Sequence, residues 1–300
     1  MAQQAPAAPG RKTPTPFFGQ VRVVSNRPLA LDTFLLRLDA PSVARTALPG
    51  QFLMLRIPGT TDPLLGRAFA LWDAAADSTG QLRYVELGYL VVGKMTRAMR
   101  RLRRGELVEV WGPLGNGFPA LEVEHLVMVA GGIGQTPFPA LAKEYLGKAR
   151  YGPKPRAARA QRVTLCYGTR TASLLAGLEV FRSLGVQVHI STDDGTAGHP
   201  GRVTELLQRV LRQESHRAGT LVVCCGPEPM MVQAARIAQQ HHVRCLLSLE
   251  APMACGIGVC CSCVVPVKEP GGEGWDYCRS CLQGPVFDAR QLELDQLLAH

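Results

Sequence analysis

Six of the ten cysteines in this chain fall between Met253 and Phe287, in the run MACGIGVCCSCVVPVKEPGGEGWDYCRSCLQGPVF. Thiols crowded this closely serve as crosslinks, as metal ligands or as redox groups. The first seventeen residues, MAQQAPAAPGRKTPTPF, have no unbroken apolar stretch of the kind a secretory leader carries, and they read as a disordered lead-in. A cytoplasmic setting is therefore expected, where thiols stay reduced, and clustered cysteines point to metal or redox work rather than disulfides. The segment is also rich in Gly and Pro and poor in apolar residues, so it cannot build a core of its own. A thiolate-bound metal centre is the staple such a segment needs.

The spacing narrows the choice of metal centre. Cys255-x4-Cys260-x2-Cys263 followed by a later Cys matches the plant-type 2Fe-2S pattern. Gly256 and Gly258 let the backbone turn tightly and offer N–H groups to the cluster sulfurs. Structural zinc is the alternative, with Cys260-x2-Cys263 and Cys278-x2-Cys281 as its two knuckles. Spacing alone leaves Cys278 and Cys281 open as the fourth ligand.

The rest of the chain divides by pattern. From about Gln20 to Gly112 it runs in short segments rich in Val, Leu, Phe and Tyr, broken by Pro and Gly: QVRVVSN, TFLLRLDA, QFLMLRI, RAFALWD, LRYVELGYLVV and LVEVWG. Such a series predicts an antiparallel barrel or sandwich, with one helix over Lys94–Arg103. From Glu124 onward strand and helix alternate, as HLVMVA then PFPALAKEYL, RVTLCYG then SLLAGLEVF, VQVHIST then RVTELLQRVL, and LVVCCG then EPMMVQAARIAQQ. That alternation predicts a doubly wound parallel α/β sheet. The expected divisions are the lead-in at 1–17, a β-barrel domain at 18–120, an α/β domain at 121–248 and a cysteine segment at 249–300.

With 300 residues and 46% hydrophobic content the chain can bury two ordinary cores, and its longest apolar runs are strand length, so no membrane span is expected. The formal charge of +9 raises the question of nucleic acid. Its basic runs, Arg97–Arg104 and Lys148–Arg162, carry no interleaved aromatics beyond Tyr151, which favours a solvated face or an acidic partner protein.

Two glycine turns close strands of the α/β half. Gly131-Gly132-Ile133-Gly134 follows HLVMVA, and Thr136-Pro137 is expected to open the next helix as N-cap and first residue. A turn of this kind aims free N–H groups and a helix dipole at a phosphate. Cys225-Gly226-Pro227-Glu228-Pro229-Met230 ends the strand LVVCCG and begins the next helix. His125, His189, His216 and the His241-His242 pair form no catalytic constellation and are expected at strand edges or on the surface.

Taken with these turns, EAPMACGIGVC at Glu250–Cys260 and CLQGPVF at Cys281–Phe287 closely resemble the electron-transfer subunit of NAD-dependent dihydroorotate dehydrogenase, a ferredoxin-reductase-like family. The resemblance covers nearly the whole chain from about Gln20 and implies Cys255, Cys260, Cys263 and Cys281 as cluster ligands, because the final ligand in that family stands two residues before GPVF. It also implies an FAD-binding barrel. Arg67-Ala68-Phe69-Ala70 matches the family's Arg-led flavin strand, with Ala70 in place of the usual hydroxyl residue. An Arg suits a pyrophosphate through charge-assisted paired bonds. Gly88-Tyr89-Leu90 matches the second flavin contact but lacks its Arg, and Met95-Thr96 stands where the family has Gly-Thr, with Thr96 expected to open a phosphate-capping helix. GPLGNGF at Gly112–Phe118 bridges two domains in the family.

In the α/β half the resemblance implies NAD on the Gly131, Gly132 and Gly134 turn, with Gly226 and Pro227 bringing the nicotinamide beside the flavin and Cys225 at the hydride-transfer locus. Asp193 and Asp194 favour NAD over NADP while Arg170 pulls the other way, and the family tips the balance to NAD. The implied partner is an FMN-containing catalytic subunit that oxidises dihydroorotate in pyrimidine biosynthesis. Two rivals keep most of these features: a reductase subunit serving ferredoxin, sulfur or polysulfide, and a flavin-free regulatory protein with a zinc-stapled tail, to which the altered Ala70, Leu90 and Met95 positions point.

Overall fold

The computed structural model describes residues 15–214, 217–269, 271 and 274–298. Residues 1–14 of the expected lead-in and His216 lie outside the described residues, and Phe17, assigned to that lead-in from sequence, is the first residue of a strand.

Six strands close an antiparallel barrel: β1 (Phe17–Ala30), β2 (Thr33–Asp39), β3 (Phe52–Arg56), β4 (Arg67–Ala76), β5 (Leu82–Leu90) and β6 (Leu107–Leu114), in the order β1-β2-β5-β4-β3-β6. Closure follows from β1 pairing with both β2 and β6, which leaves no open edge. Period-two alternation drives it. In β6, Val108, Val110, Gly112 and Leu114 point inward and are buried while the residues between them are not.

The second sheet contains β7 (Glu122–Gly131), β8 (Arg159–Thr169), β9 (Gln187–Thr192), β10 (His199–Pro200), β11 (Thr220–Cys225) and β12 (Arg244–Ser248), all parallel. The order is β10-β9-β8-β7-β11-β12, so the chain winds one way from β7 and the other way from β11. The crevice where the winding reverses lies outside the carboxyl ends of β7 and β11, which is where open α/β sheets bind ligands. Helices cover both faces: Phe138–Tyr145 and Leu178–Ser183 on one, Val203–Arg212 and Glu228–Gln240 on the other. Strand β11, buried at every residue, reads as the continuous apolar run expected of a central parallel strand.

The cysteine segment forms a hairpin, β13 (Val264–Lys268) with β14 (Trp275–Arg279), and then returns a strand, β15 (Val286–Asp288), antiparallel to β12. That seventh strand is a feature the sequence pattern did not reveal. Asn116 fixes it. Its amide donates to the carbonyls of Gln283 (2.9 Å) and Val286 (2.7 Å), and its own carbonyl oxygen accepts from the Val286 amide (3.2 Å). GPLGNGF therefore ties the barrel to the cysteine segment through Asn116 and to the α/β half through Phe118, which packs on Phe138. Across the other domain seam, Trp72 is fully buried against Gly88 and Gly177, and Asp73 accepts from Lys143 and from the Tyr151 hydroxyl (2.6 Å).

Several local expectations change. The helix expected over Lys94–Arg103 ends at Met99, and SLLAGLEVF splits at Gly177 (φ 68°) into a short 3-10 turn and the helix Leu178–Ser183. Thr136 and Pro137 do not begin the helix after β7 as N-cap and first residue. Gly132–Gln135 forms a 3-10 turn first, and Pro137 is the N-cap of Phe138–Tyr145. Thr96 sits inside its helix rather than opening it, and its hydroxyl accepts from the Val92 and Gly93 amides (2.9 and 3.0 Å). His125 is buried, not at an edge: it bridges Glu214 and the Thr164 hydroxyl, with Arg162 beside it.

Candidate redox site

Two clefts meet at the switch point. The first, of about 1010 Å³, runs between the barrel and the cysteine segment, and its walls hold Arg67, Ala68, Phe69, Ala70, Gly88, Tyr89, Leu90, Met95 and Thr96. Its far end is closed by Cys225, Ser248, Glu250 and the stretch Ala251–Met253, which leads directly into Cys255. The second, of about 1020 Å³, lies over the carboxyl ends of β7, β8 and β9 and is lined by Gly131, Gly132 and Pro227, with Arg170, Asp193 and Asp194 also on its walls. Leu90, Val92 and Ile133 line both. Ligands in the two clefts would meet at these shared residues, with Cys225 on the wall of the first.

Gly134 and Gly226 line neither cleft, and they act by closeness. A Cβ on Gly134 would lie 2.3 Å from the Cys225 carbonyl oxygen, and one on Gly226 (φ +149°) would lie 2.9 Å from the Gly131 amide. The two glycine turns thus touch through bare backbone, as only glycine allows.

In the first cleft Arg67 is exposed, with its guanidinium resting on the carbonyls of Leu65 and Gly66 and no carboxylate partner among its hydrogen bonds. Tyr89 is buried between Phe34 and Phe69, and its hydroxyl donates to Asn26 (3.0 Å). That bond fixes the ring so that it offers packing rather than a free hydroxyl. At the junction, burial and then the neighbouring Glu250 charge push the Cys225 thiol far up, against a hydrogen bond with Ser248. Cys225 is thus a small neutral group, with no nucleophilic thiolate. Glu250 reaches solvent yet is hemmed in by protein, and this desolvation raises its carboxyl above the ordinary range. Ser248 and Glu250 were not singled out from sequence, although Glu250 opens the EAPMACGIGVC motif.

The cluster cysteines are neighbours: Cys260 senses Cys255, and Cys281 senses both Cys263 and Cys255. The Cys255 sulfur accepts the amides of Ile257 (3.4 Å) and Cys260 (3.5 Å). Cys263 and Cys281 share an apolar cluster with Phe52, Met54 and Leu114 of the barrel, whereas Cys278 packs against the α/β core. Hydrogen bonds from Ser262 hold the Cys260 thiol down at about 6, while burial and the neighbouring Cys263 push Cys281 up to about 12. Among the described residues no three His, Cys, Asp or Glu side chains converge on a point that could hold a single metal ion. The loop is seated on the barrel by Trp111, whose indole N–H donates to the Cys255 carbonyl (2.8 Å).

This fold and pair of clefts define an oxidoreductase built from an FAD-binding barrel, an NAD-binding α/β domain and an iron–sulfur segment. Three family models match those parts: an oxidoreductase FAD-binding domain over residues 20–118, an oxidoreductase NAD-binding domain over 128–236, and the iron-sulfur cluster binding domain of dihydroorotate dehydrogenase B over 250–293. The chain is 32% identical over 273 residues to the dihydroorotate dehydrogenase B (NAD(+)) electron transfer subunit of Caldanaerobacter subterraneus, covering 91% of this chain and 97% of that one. It is 34% identical over 279 residues to the same subunit of Bacillus caldolyticus, covering 92% and 98%. It belongs to the family of dihydroorotate dehydrogenase B electron transfer subunits. Among solved structures it is similar to the NADH-dependent reduced ferredoxin-NADP oxidoreductase, with TM-score 0.76, 25% identity and coverage of 93% and 91%. Among the described residues no helix is long and apolar enough to cross a membrane.

Proposed function

We propose that this chain carries electrons from an FMN-containing dihydroorotate dehydrogenase catalytic subunit to NAD, in the cytoplasm, as part of pyrimidine biosynthesis. When bound, the groups supply complementary chemistry: an iron–sulfur cluster passes single electrons, and FAD exchanges both single electrons and a hydride. The observation that carries the reading is that the two clefts share Leu90, Val92 and Ile133 as lining, with Cys225 and, from the cysteine segment, Ala251–Met253 on the walls of the first. A flavin in the first cleft would face a nicotinamide on one side and the cluster loop on the other.

The residues then divide the work. Arg67, whose guanidinium now rests on two carbonyls, would hold the FAD pyrophosphate, and the backbone of Ala68–Ala70 would contact the isoalloxazine. Gly88, Tyr89 and Leu90 would pack the flavin, and Met95 with Thr96 would bring a short helix toward its phosphates. Gly131 and Gly132 would take the NAD phosphates, while Gly134, Gly226 and Pro227 draw the two turns together and would set Cys225 near the nicotinamide. Being neutral and buried, Cys225 excludes water without competing for the hydride. Cys255 and Cys260 would hold one iron and Cys263 and Cys281 the other of a 2Fe-2S cluster. The plant-type spacing Cys255-x4-Cys260-x2-Cys263 with a later Cys suits a 2Fe-2S cluster better than a pair of zinc knuckles.

The test is reconstitution with an FMN-containing dihydroorotate-oxidising subunit. Dihydroorotate-dependent reduction of NAD supports the assignment, and failure to form the complex or to reduce NAD removes it. A second reading, a reductase subunit serving ferredoxin, draws on the similarity to the ferredoxin-NADP oxidoreductase structure. It predicts NADH-dependent ferredoxin reduction by the same preparation and no complex with the pyrimidine enzyme.

A further inference from the structure

We propose that the hydroxyl of Ser262 donates a hydrogen bond to the Cys260 sulfur when that sulfur ligates the cluster, and that this bond sets the cluster's redox potential. The inference rests on the reading that Cys255, Cys260, Cys263 and Cys281 hold a 2Fe-2S cluster.

The geometry places one proton between two acceptors. The Ser262 Oγ lies 3.1 Å from the Pro252 carbonyl oxygen and 3.2 Å from the Cys260 sulfur, and it accepts the Ala254 amide at 3.3 Å. The Ala254 bond occupies a lone pair and fixes the oxygen, so the hydroxyl proton has two places to go. With Cys260 as a neutral thiol the carbonyl is the better acceptor. With Cys260 as a thiolate ligand the negative sulfur competes, and a charged acceptor makes the stronger bond. The serine can therefore turn its proton to the sulfur as the cluster loads, with no change in its own position.

The electrostatic consequence has a sign. Hydrogen bonds to the sulfurs stabilise the extra negative charge of the reduced cluster and raise its potential. The donors are unevenly shared. Two amides reach Cys255, and the Ser262 hydroxyl reaches Cys260. Of these, only the Ser262 hydroxyl is a side chain, so it is the donor that sequence can add or remove without disturbing the loop backbone. Ser262 is a positioning residue in this account, acting through Cys260.

The test measures iron and acid-labile sulfide first, then the midpoint potential of the cluster by an EPR-monitored titration of the full chain. Cluster content of the wild type and of Cys260→Ser reports on the ligand assignment, while the potentials report on Ser262. Ser262→Ala is expected to keep its cluster and to titrate at a more negative potential, with Ser262→Thr back at the wild-type value. Ser262→Val and Ser262→Thr match each other in shape and repeat the comparison with and without the hydroxyl. Equal potentials across the forms with and without a hydroxyl overturn the proposal. So does loss of the cluster from the alanine and valine variants alike, which would make Ser262 a residue for assembly rather than for potential.

Discussion

Gly134→Ala is the perturbation whose size the structure fixes most closely. The added Cβ would lie 2.3 Å from the Cys225 carbonyl oxygen, 2.5 Å from its carbonyl carbon and 2.7 Å from the Gly226 Cα, all of them backbone. None of these atoms can swing aside. Restoring an ordinary contact of 3.4 Å requires the turns after β7 and β11 to part by roughly 1 Å. Forcing extra volume into a packed contact costs about 1–3 kcal/mol of stability. The functional cost is the larger one, because Cys225 lines the first cleft and Pro227, next to Gly226, lines the second, and a 1 Å misplacement there is worth on the order of 100-fold in rate. The assay is anaerobic NADH oxidation with ferricyanide as acceptor, alongside flavin content and thermal unfolding. The expected result is near-normal flavin content, kcat/KM down by about two orders of magnitude and a lower Tm. Gly147→Ala, which lines neither cleft, is the control. Nothing lies within 4 Å of its Cβ, and its φ of +66° costs only about 1–2 kcal/mol of backbone strain. A Gly134→Ala protein with wild-type kcat/KM and Tm would refute the contact between the two turns.

Three further outcomes are expected. Cys281→Ser abolishes the iron–sulfur absorbance while Cys278→Ser keeps it, since Cys281 shares the apolar cluster of Cys263 and Cys278 packs against the α/β core; the reverse pattern would move the fourth ligand. Arg67→Ala weakens FAD binding by about 1.5–3 kcal/mol, the range for a hydrogen bond to a charged group, read as FAD released on dilution; unchanged retention would make Arg67 a surface residue. Burial lowers the pKa of His125, with the Arg162 charge acting the same way and Glu214 opposing both. The unfolded chain therefore takes up a proton that the native His125 refuses, and stability, full above about pH 6.5, falls as pH drops through that value. Glu214 is raised by burial, but its bonds to His125 and Arg162 outweigh that and hold it low, which adds a further loss in the carboxylate range. Urea midpoints between pH 8 and 5 should show the first step in the wild type and a flatter line in His125→Gln; equal slopes would contradict it.

The elements legible in sequence were those written by local periodicity. The six barrel strands and the alternating strands and helices of the second half stand close to where their apolar patterns put them. What the pattern could not carry was pairing between distant segments. Strand β15 is three residues long and gains its place only by bonding to β12 and to Asn116, so nothing local marks it. Helix starts shifted for a related reason: Thr136 and Thr96 both have N-cap chemistry, yet the 3-10 turn at Gly132–Gln135 and the helix start at Lys94 leave neither as N-cap. His125 was misjudged because its burial depends on Glu214, far away in sequence. The cluster cysteines were legible because their spacing is itself a local constraint. Ser248 and Glu250 carry no such spacing, and only the meeting of β11 and β12 brings them to Cys225.

The central claim is that one chain joins an NAD cleft, a flavin cleft and a cysteine cluster into a single conduit. An anaerobic titration of the purified protein with NADH, following flavin and iron–sulfur absorbance together, tests it most directly. The account predicts that both bleach in the same titration, because the two clefts share Leu90, Val92 and Ile133 and Ala251–Met253 joins the flavin cleft to Cys255. A flavin that bleaches while the cluster stays oxidised, under a potential low enough to reduce it, would contradict the conduit and leave the cysteine segment a structural staple.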